Sequence, residues 1–162
     1  MTAVQVRPLA AVDAESCDAI VAGLPYHFGI EQGRLDCGAA VRREAGLVAI
    51  EHGEVVGFLT YVRRFDEAAE ITWMAVSADR RRRGIGHALI EHLEERLAAE
   101  GRRLLLVLTV SPNDPGPEPD DGYQSTRAFY RKAGFVLGRD LPREWESDTA
   151  VLLAKTLRAG GV

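Results

Sequence analysis

The chain has few cysteines, histidines and lysines among its 162 residues. The two cysteines, Cys17 and Cys37, form no C-x-x-C pair, and only four histidines accompany them. A zinc ribbon and the disulfide framework of a small secreted protein are therefore excluded. No apolar run approaches the ~20 residues that a bilayer-spanning helix needs, so we expect no membrane partner.

The N-terminal segment lacks the features of a secretory signal. It has no basic n-region and no long apolar stretch, and it carries acids at Asp13, Glu15 and Asp18. We therefore expect a cytoplasmic protein. A composition of 46% hydrophobic and 27% charged residues is typical of one folded domain, here residues 1–162. The formal net charge of -4 argues against a protein that neutralises nucleic-acid backbone, so we expect no nucleic-acid partner.

Hydrophobic periodicity predicts an α/β fold. Strands are predicted at 4–7, 46–51, 54–64, 69–76, 103–110, about 135–139 and 148–157, and helices at about 13–23, 32–44, 84–101 and 123–134. The strand at 69–76 is apolar on both faces, and simple alternation sets Ile71, Trp73 and Ala75 against Met74 and Val76. The helix that follows leads to an apolar run suited to a buried parallel strand, and the last two strands suit an antiparallel pair.

The junction between that strand and its helix carries the strongest chemical signal. It reads RRRRGIGH over residues 80–87, and we call residues 81–87 the arginine turn. Two glycines one residue apart allow a sharp turn and close approach of a ligand. The helix beginning there directs unpaired N–H groups and its positive dipole end outward, which predicts an anion site.

The known nucleotide motifs do not fit this turn. The dinucleotide fingerprint needs a third glycine where this chain has Leu89, and a P-loop needs Gly-Lys followed by Ser or Thr. We also expect no metal, because His87 and His92 are five residues apart on one predicted helix and project in different directions.

The pattern Arg81-x-x-Gly84-x-Gly86 resembles the R/Q-x-x-G-x-G/A signature of the GNAT superfamily of acetyl-CoA-dependent N-acetyltransferases. The resemblance extends over residues 4–157, because the two-faced strand, the amphipathic helix, the next strand and a late F-Y-x-x-x-G-F element follow in the family's order. It implies a single-domain, mixed and splayed central sheet of about six to seven strands, flanked by about four helices. The strands ending near Val76 and Val110 would separate to leave a gap for the pantetheine arm.

The resemblance also implies a set of cosubstrate-binding residues. They are, for main-chain contacts with pantetheine, Met74, Ala75 and Val76, and for the pyrophosphate, Arg81, Arg82, Arg83, Gly84, Ile85, Gly86 and His87. Many family members have an asparagine where this chain has Tyr123, so we expect Thr126 or packing to hold the arm instead.

Two catalytic residues follow from the same resemblance. Tyr130 matches a tyrosine that acts as general acid toward the leaving thiolate. Glu70, eleven residues before Arg81, is similar to the general-base glutamate of the histone acetyltransferase branch. A protonated amine cannot attack a thioester until a proton leaves it, directly or through water, so the role of Glu70 makes chemical sense.

These residues predict transfer of acetyl from acetyl-CoA to a primary amine by direct attack, since no local signature of a nucleophilic serine or cysteine is present. A non-catalytic acyl-CoA sensor and an enzyme acting on tRNA-borne amines remain as alternatives, and a homodimer stays open. The acceptor side is expected around Tyr26, His27 and Phe28, an acidic loop at 114–121, and Trp145. The acids of that loop predict a preference for cationic amines.

Overall fold

The computed structural model describes residues 3–24, 31–114, 123–142, 144 and 148–158. The strands are β1 (Gln5–Pro8), β2 (Ala45–Glu51), β3 (Glu54–Arg63), β4 (Ala68–Val76), β5 (Leu104–Val110), β6 (Val136–Leu141) and β7 (Ala150–Thr156). The helices are α1 (Ala14–Ala22), α2 (Glu31–Arg43), α3 (Ile85–Ala99) and α4 (Gln124–Lys132), with short 3-10 turns at Ala11–Asp13 and Ala78–Arg80.

All seven strands form one mixed sheet in the order β1-β2-β3-β4-β5-β7-β6. Only the β4–β5 pair is parallel, and the tail returns as the antiparallel pair β6–β7. The β2–β3 hairpin closes through His52 and Gly53, which both have positive φ, as a two-residue type I′ turn requires. The predicted α/β class, the mixed sheet and the four helices are confirmed.

The parallel strands β4 and β5 are paired over a short stretch only. Their register runs from Ala68 opposite Leu104 to Ile71 opposite Val107, and no pairing follows. Beyond that point β4 stays bonded to β3 and β5 stays bonded to β7. The sheet therefore opens between the carboxyl halves of β4 and β5.

A β-bulge in β4 corrects the predicted alternation of its side chains. Thr60 of β3 pairs with Trp73 while the next residue, Tyr61, pairs with Ile71, so Thr72 is the extra residue. A bulge shifts the pleat by one position, and Ile71 therefore shares a face with Met74. The expectation that Ile71 lies with Trp73 is wrong.

Each face of the sheet has its own core. On one side the helices α3 and α4 cover the larger cluster, which includes Ile71, with Met74 packed against it. On the other side α1 and α2 cover a cluster that includes Ala75, with Trp73 against it. The predicted apolar stripe of α3 is confirmed, since Ile85, Gly86, Leu89, Ile90, Leu93 and Leu97 are buried. No helix in the described residues is long and apolar enough to cross a bilayer.

Candidate active site

The opening between β4 and β5 leaves one edge of β4 without a strand partner. Met74 and Val76 pair with β3 on one side, opposite Leu59 and Gly57, and β5 does not reach them on the other. A free strand edge offers main-chain donors and acceptors to an extended ligand. This edge is where the sequence predicted the pantetheine contacts of residues 74–76.

The helix α4 bridges the two strands where they diverge. Arg127 donates from Nη1 to the carbonyl oxygen of Val110 at 2.8 Å, at the end of β5. That carbonyl points away from β7, because the N–H of the same peptide group, from Ser111, bonds Thr149 of the β7 side. Three residues further along α4, the Tyr130 hydroxyl lies 4.0 Å from the sulfur of Met74 on β4.

Tyr130 places its phenol in an apolar environment. The side chain is 6% exposed, and its ring meets those of Phe129 and Phe135 edge to face, with centroids 5.2 and 5.5 Å away. Burial raises the pKa of Tyr130 well above its ordinary value. The hydroxyl therefore carries its proton at neutral pH and can act as a donor but not as a base.

The arginine turn brings several main-chain donors together at the start of α3. Gly84 occupies the N-cap position with φ of +80°, a left-handed conformation that favours glycine. The first backbone hydrogen bond of the helix runs from Ala88 to Gly84, so the N–H groups of Ile85, Gly86 and His87 have no intrahelical acceptor. Arg82 is also left-handed, with φ of +64°. Main-chain donors in such a turn can bind an anion such as a phosphate group.

Gly86 allows α3, α4 and β4 to approach each other closely behind this turn. A Cβ atom at Gly86 would lie 2.8 Å from the ring of Phe129 and 3.1 Å from Cε of Met74. The ring of Phe129 also contacts that of His87 in a tilted arrangement, with centroids 4.8 Å apart and an interplanar angle of 55°. Because the second glycine of the motif has no side chain, the start of α3 can pack directly against α4, the helix that carries Tyr130.

The arginines around the turn have two different environments. Arg80 donates to the carboxylate of Glu51 at 2.7 Å, and Arg83 lies 3.8 Å from the same oxygen. Arg81 and Arg82 are exposed, and neither has an ion pair within the described part of the chain. Their charges remain available for a bound anion.

Glu70 lies on β4 where that strand is still paired with β5, opposite Leu106. Its carboxylate forms an ion pair with Arg64 at 2.5 Å, and its side chain is 14% exposed. Two residues further on, at the bulge, the Thr72 hydroxyl contacts both Thr60 and the carboxylate of Glu44. These polar groups lie on the α2 side of β4, across the sheet from α3.

Part of the predicted site lies outside the described residues. This applies to Tyr26, His27, Phe28 and Trp145, and to residues 115–121 of the acidic loop. Of that loop, Asp114 is described, and it accepts a hydrogen bond from the Thr149 backbone N–H at 2.5 Å. Thr126 is half-buried on α4, one residue before Arg127.

Sequence reasoning missed two residues of this site. Glu51 is 29 positions from Arg80, and Arg127 is 17 positions from Val110. Neither pair has a local spacing that marks it, so only the hairpin and the α4 packing reveal them.

The described residues contain no group of three His, Cys, Asp or Glu side chains that could hold a metal ion.

The family model of the acetyltransferase (GNAT) domain matches residues 42–137, more than half of the chain. Among curated protein sequences, none matches significantly.

Several solved structures share the fold. One, from Desulfovibrio desulfuricans and described as an acetyltransferase of the GNAT family, has a TM-score of 0.81 at 21% identity, over 96% of this chain and 100% of that one. The ribosomal-protein-S18-alanine N-acetyltransferase of Escherichia coli gives 0.75 at 19% identity, over 98% and 97%. An aminoglycoside 6′-N-acetyltransferase complexed with coenzyme A gives 0.70 at 17%, over 95% and 97%.

The chain belongs to the GNAT acetyltransferase family. It is therefore an acyltransferase, and its cosubstrate is acetyl-CoA. The resemblance stated from the Arg81-x-x-Gly84-x-Gly86 motif is confirmed at the level of family, fold and cosubstrate.

Proposed function

We propose that this protein transfers acetyl from acetyl-CoA to a primary amine of a small molecule or peptide by direct attack. The observation that carries the proposal is the bridge formed by α4, which contacts β5 through Arg127 and β4 through Tyr130 at the point where the sheet opens. The Tyr130 hydroxyl, a proton donor, thereby lies beside the side chain of Met74, a residue of the free strand edge that suits an extended pantetheine arm.

The cosubstrate supplies the acetyl group as a thioester, which needs no further activation by a cofactor. The main chain of Met74, Ala75 and Val76 would align the arm, and the N–H groups of the arginine turn would hold the pyrophosphate. Exposed Arg81 and Arg82 would meet the remaining phosphate charge. Among the arginines predicted to bind the pyrophosphate, Arg83 is the least available to it, because Arg83 lies near the Glu51 carboxylate.

Two proton transfers complete the reaction. The amine nitrogen forms a bond to the acetyl carbon as the carbon–sulfur bond breaks, and the departing thiolate takes the proton of the Tyr130 hydroxyl. The amine gives up its own proton, directly or through water, to Glu70. The products are the N-acetylated amine and free coenzyme A. Proton exchange with water then returns a proton to Tyr130 and removes one from Glu70, which restores the enzyme and balances atoms and charges.

A protein that only binds acyl-CoA has no need for a proton donor at the thioester, and the buried Tyr130 hydroxyl therefore favours the enzyme. The tRNA alternative needs a basic groove. Three arginines outside the arginine turn are largely neutralised, because Arg42, Arg63 and Arg64 form ion pairs with Asp18, Glu100 and Glu70. This favours a small amine or a peptide as acceptor. A cytoplasmic location and a homodimer stay predictions.

The experiment that tests this function measures whether release of free thiol from acetyl-CoA depends on an added primary amine. An enzyme of this type shows amine-dependent release, whereas a sensor binds acetyl-CoA without turnover.

Replacing Glu70 by Gln should lower kcat about 100-fold, at the lower end of the usual contribution of a general base. We expect a loss of kcat at the lower end of this range because the Glu70 carboxylate is already in an ion pair with Arg64, which makes it less ready to accept a proton. The measurement is steady-state kinetics at saturating acetyl-CoA.

Arg64→Gln is the matched control, because it breaks the same ion pair and leaves the carboxylate in place. Its kcat should equal or exceed that of the wild type. Equal losses in the two variants would mean that the ion pair supports the local structure and that Glu70 is not the base.

A further inference from the structure

We propose that Glu51 is a positioning residue that sets the geometry of the arginine turn for the pyrophosphate of acetyl-CoA. The inference rests on the proposed function of that turn. Glu51 is the last residue of β2, outside the GNAT motif, and its side chain lies under the turn at 9% exposure.

One carboxylate oxygen of Glu51 connects to both ends of the arginine run. It accepts from Arg80 Nη1 at 2.7 Å and lies 3.8 Å from Nη1 of Arg83. Arg80 is itself only 24% exposed, so the ion pair is partly shielded from water and stronger than a surface pair. Glu51 therefore contacts the residues on either side of Arg81 and Arg82.

The backbone between these anchor points is unusual. Arg82 has φ of +64° and Gly84 has φ of +80°. Non-glycine residues rarely adopt a left-handed conformation, and they keep it only where surrounding contacts impose it. On the other flank, Ser77 donates its N–H to Val56 of β3 and accepts from the N–H of Arg80. These backbone hydrogen bonds of Ser77 and the contact of Glu51 with Arg80 together hold the start of the turn, and we call them the frame.

The frame divides the four consecutive arginines by role. Arg80 serves the turn itself through its hydrogen bond to Glu51, whereas Arg81, Arg82 and Arg83 are exposed, with Arg83 3.8 Å from the same carboxylate. This explains how a cluster of like charges can be held in one conformation before the anion arrives. Without the carboxylate, Arg80 and Arg83 would repel each other and their neighbours, and the main-chain donors would lose their alignment.

The sign of the Glu51→Gln effect separates positioning from simple electrostatics. A negative charge beside an anion site opposes anion binding, so its removal alone would tighten the affinity for acetyl-CoA. A positioning role predicts the reverse. We expect Glu51→Gln to raise the Kd for acetyl-CoA about tenfold, the loss typical of one charge-assisted hydrogen bond.

Glu54→Gln is the matched control. Glu54 is the cross-strand partner of Glu51 in the same hairpin, is exposed, and has no ion pair within the described residues. Glu54→Gln removes one negative charge, as Glu51→Gln does, but breaks no contact with the turn. Its Kd for acetyl-CoA should stay within about twofold of the wild type or fall slightly. The double variant Glu51→Gln/Arg80→Gln should bind no more weakly than the weaker single variant, because either substitution alone already removes the 2.7 Å contact between the two side chains.

The experiment measures the Kd for acetyl-CoA by calorimetry and, in parallel, kcat/KM for S-acetylpantetheine, which lacks the pyrophosphate, with an amine that the wild type acetylates. Weaker acetyl-CoA binding with S-acetylpantetheine turnover within about twofold of wild type supports the proposal. An unchanged or lower Kd, or an equal loss with both thioesters, overturns it. Failure of the proposed function would instead appear in the wild type, as no binding or no turnover of acetyl-CoA.

Discussion

Replacing Tyr130 by Phe should lower kcat by ~10²- to 10⁴-fold and leave the affinity for acetyl-CoA nearly intact. The substitution removes one hydroxyl whose described contact is with the Met74 sulfur at 4.0 Å, and the ring keeps its packing against Phe129 and Phe135. Because burial raises the pKa of this phenol, the wild-type group stays protonated at neutral pH. The lost rate therefore reports the lost proton donor.

Tyr61→Phe provides the control for Tyr130→Phe. Tyr61 is buried in the same core on β3, at 1% exposure, and the substitution likewise removes one phenol hydroxyl. It should leave kcat within about twofold of wild type. A loss below about threefold in Tyr130→Phe would mean that water, and not this hydroxyl, protonates the thiolate.

Replacing Gly84 by Val should abolish the rise in melting temperature that acetyl-CoA gives the wild type. At 100 times its Kd, a ligand stabilises the native state by about 2.7 kcal/mol, or roughly 5–10 °C for a chain of this size. Valine at φ of +80° is strained, and its side chain would occupy the turn that we propose holds the pyrophosphate.

Gly101→Val separates strain from binding. Gly101 follows the other end of α3 with φ of +82°, and a new Cβ meets no atom within 4 Å at either glycine. Both variants should lose a similar ~1–3 kcal/mol of stability. Only Gly101→Val should keep the full acetyl-CoA shift, measured by thermal unfolding. A full shift in Gly84→Val would remove the phosphate site from the arginine turn.

The order of helices and strands could be predicted because each relevant pattern is local. The repeat of Leu89, Leu93 and Leu97 identifies the buried face of α3, and His52-Gly53 identifies a two-residue hairpin. The anion site proposed at the start of α3 rests on the same kind of signal, since glycines at a helix start allow an anion to approach unpaired N–H groups.

The bulge in β4 could not be predicted from a period of two. Thr72 is an ordinary β-branched residue, and no glycine or proline marks it as the extra position. The bulge arises from how β3 pairs with β4, which is a property of two strands and not of one. Its effect is large, because it moves Ile71 to the face of Met74 where the sheet opens.

The different environments of the four consecutive arginines could not be predicted from the sequence either. In the sequence they are identical neighbours, and their different environments depend on a carboxylate from the distant β2–β3 hairpin. Likewise, nothing in the sequence shows that Glu70 is paired with Arg64. Long-range ion pairs of this kind need the fold first, and they decide which charges remain for a ligand.

Amine-dependent thiol release by the wild-type protein tests the central claim most directly. The protein would be incubated with acetyl-CoA and, one at a time, a diamine, an amino sugar, a short peptide with a free N-terminus and a free amino acid, with Gly84→Val as the blank. We expect at least one amine to accelerate thiol release above the amine-free rate and to gain one acetyl group by mass. If acetyl-CoA raises the melting temperature of the wild type but thiol release is the same with and without every amine, the protein is an acyl-CoA-binding module and the proposed function is wrong.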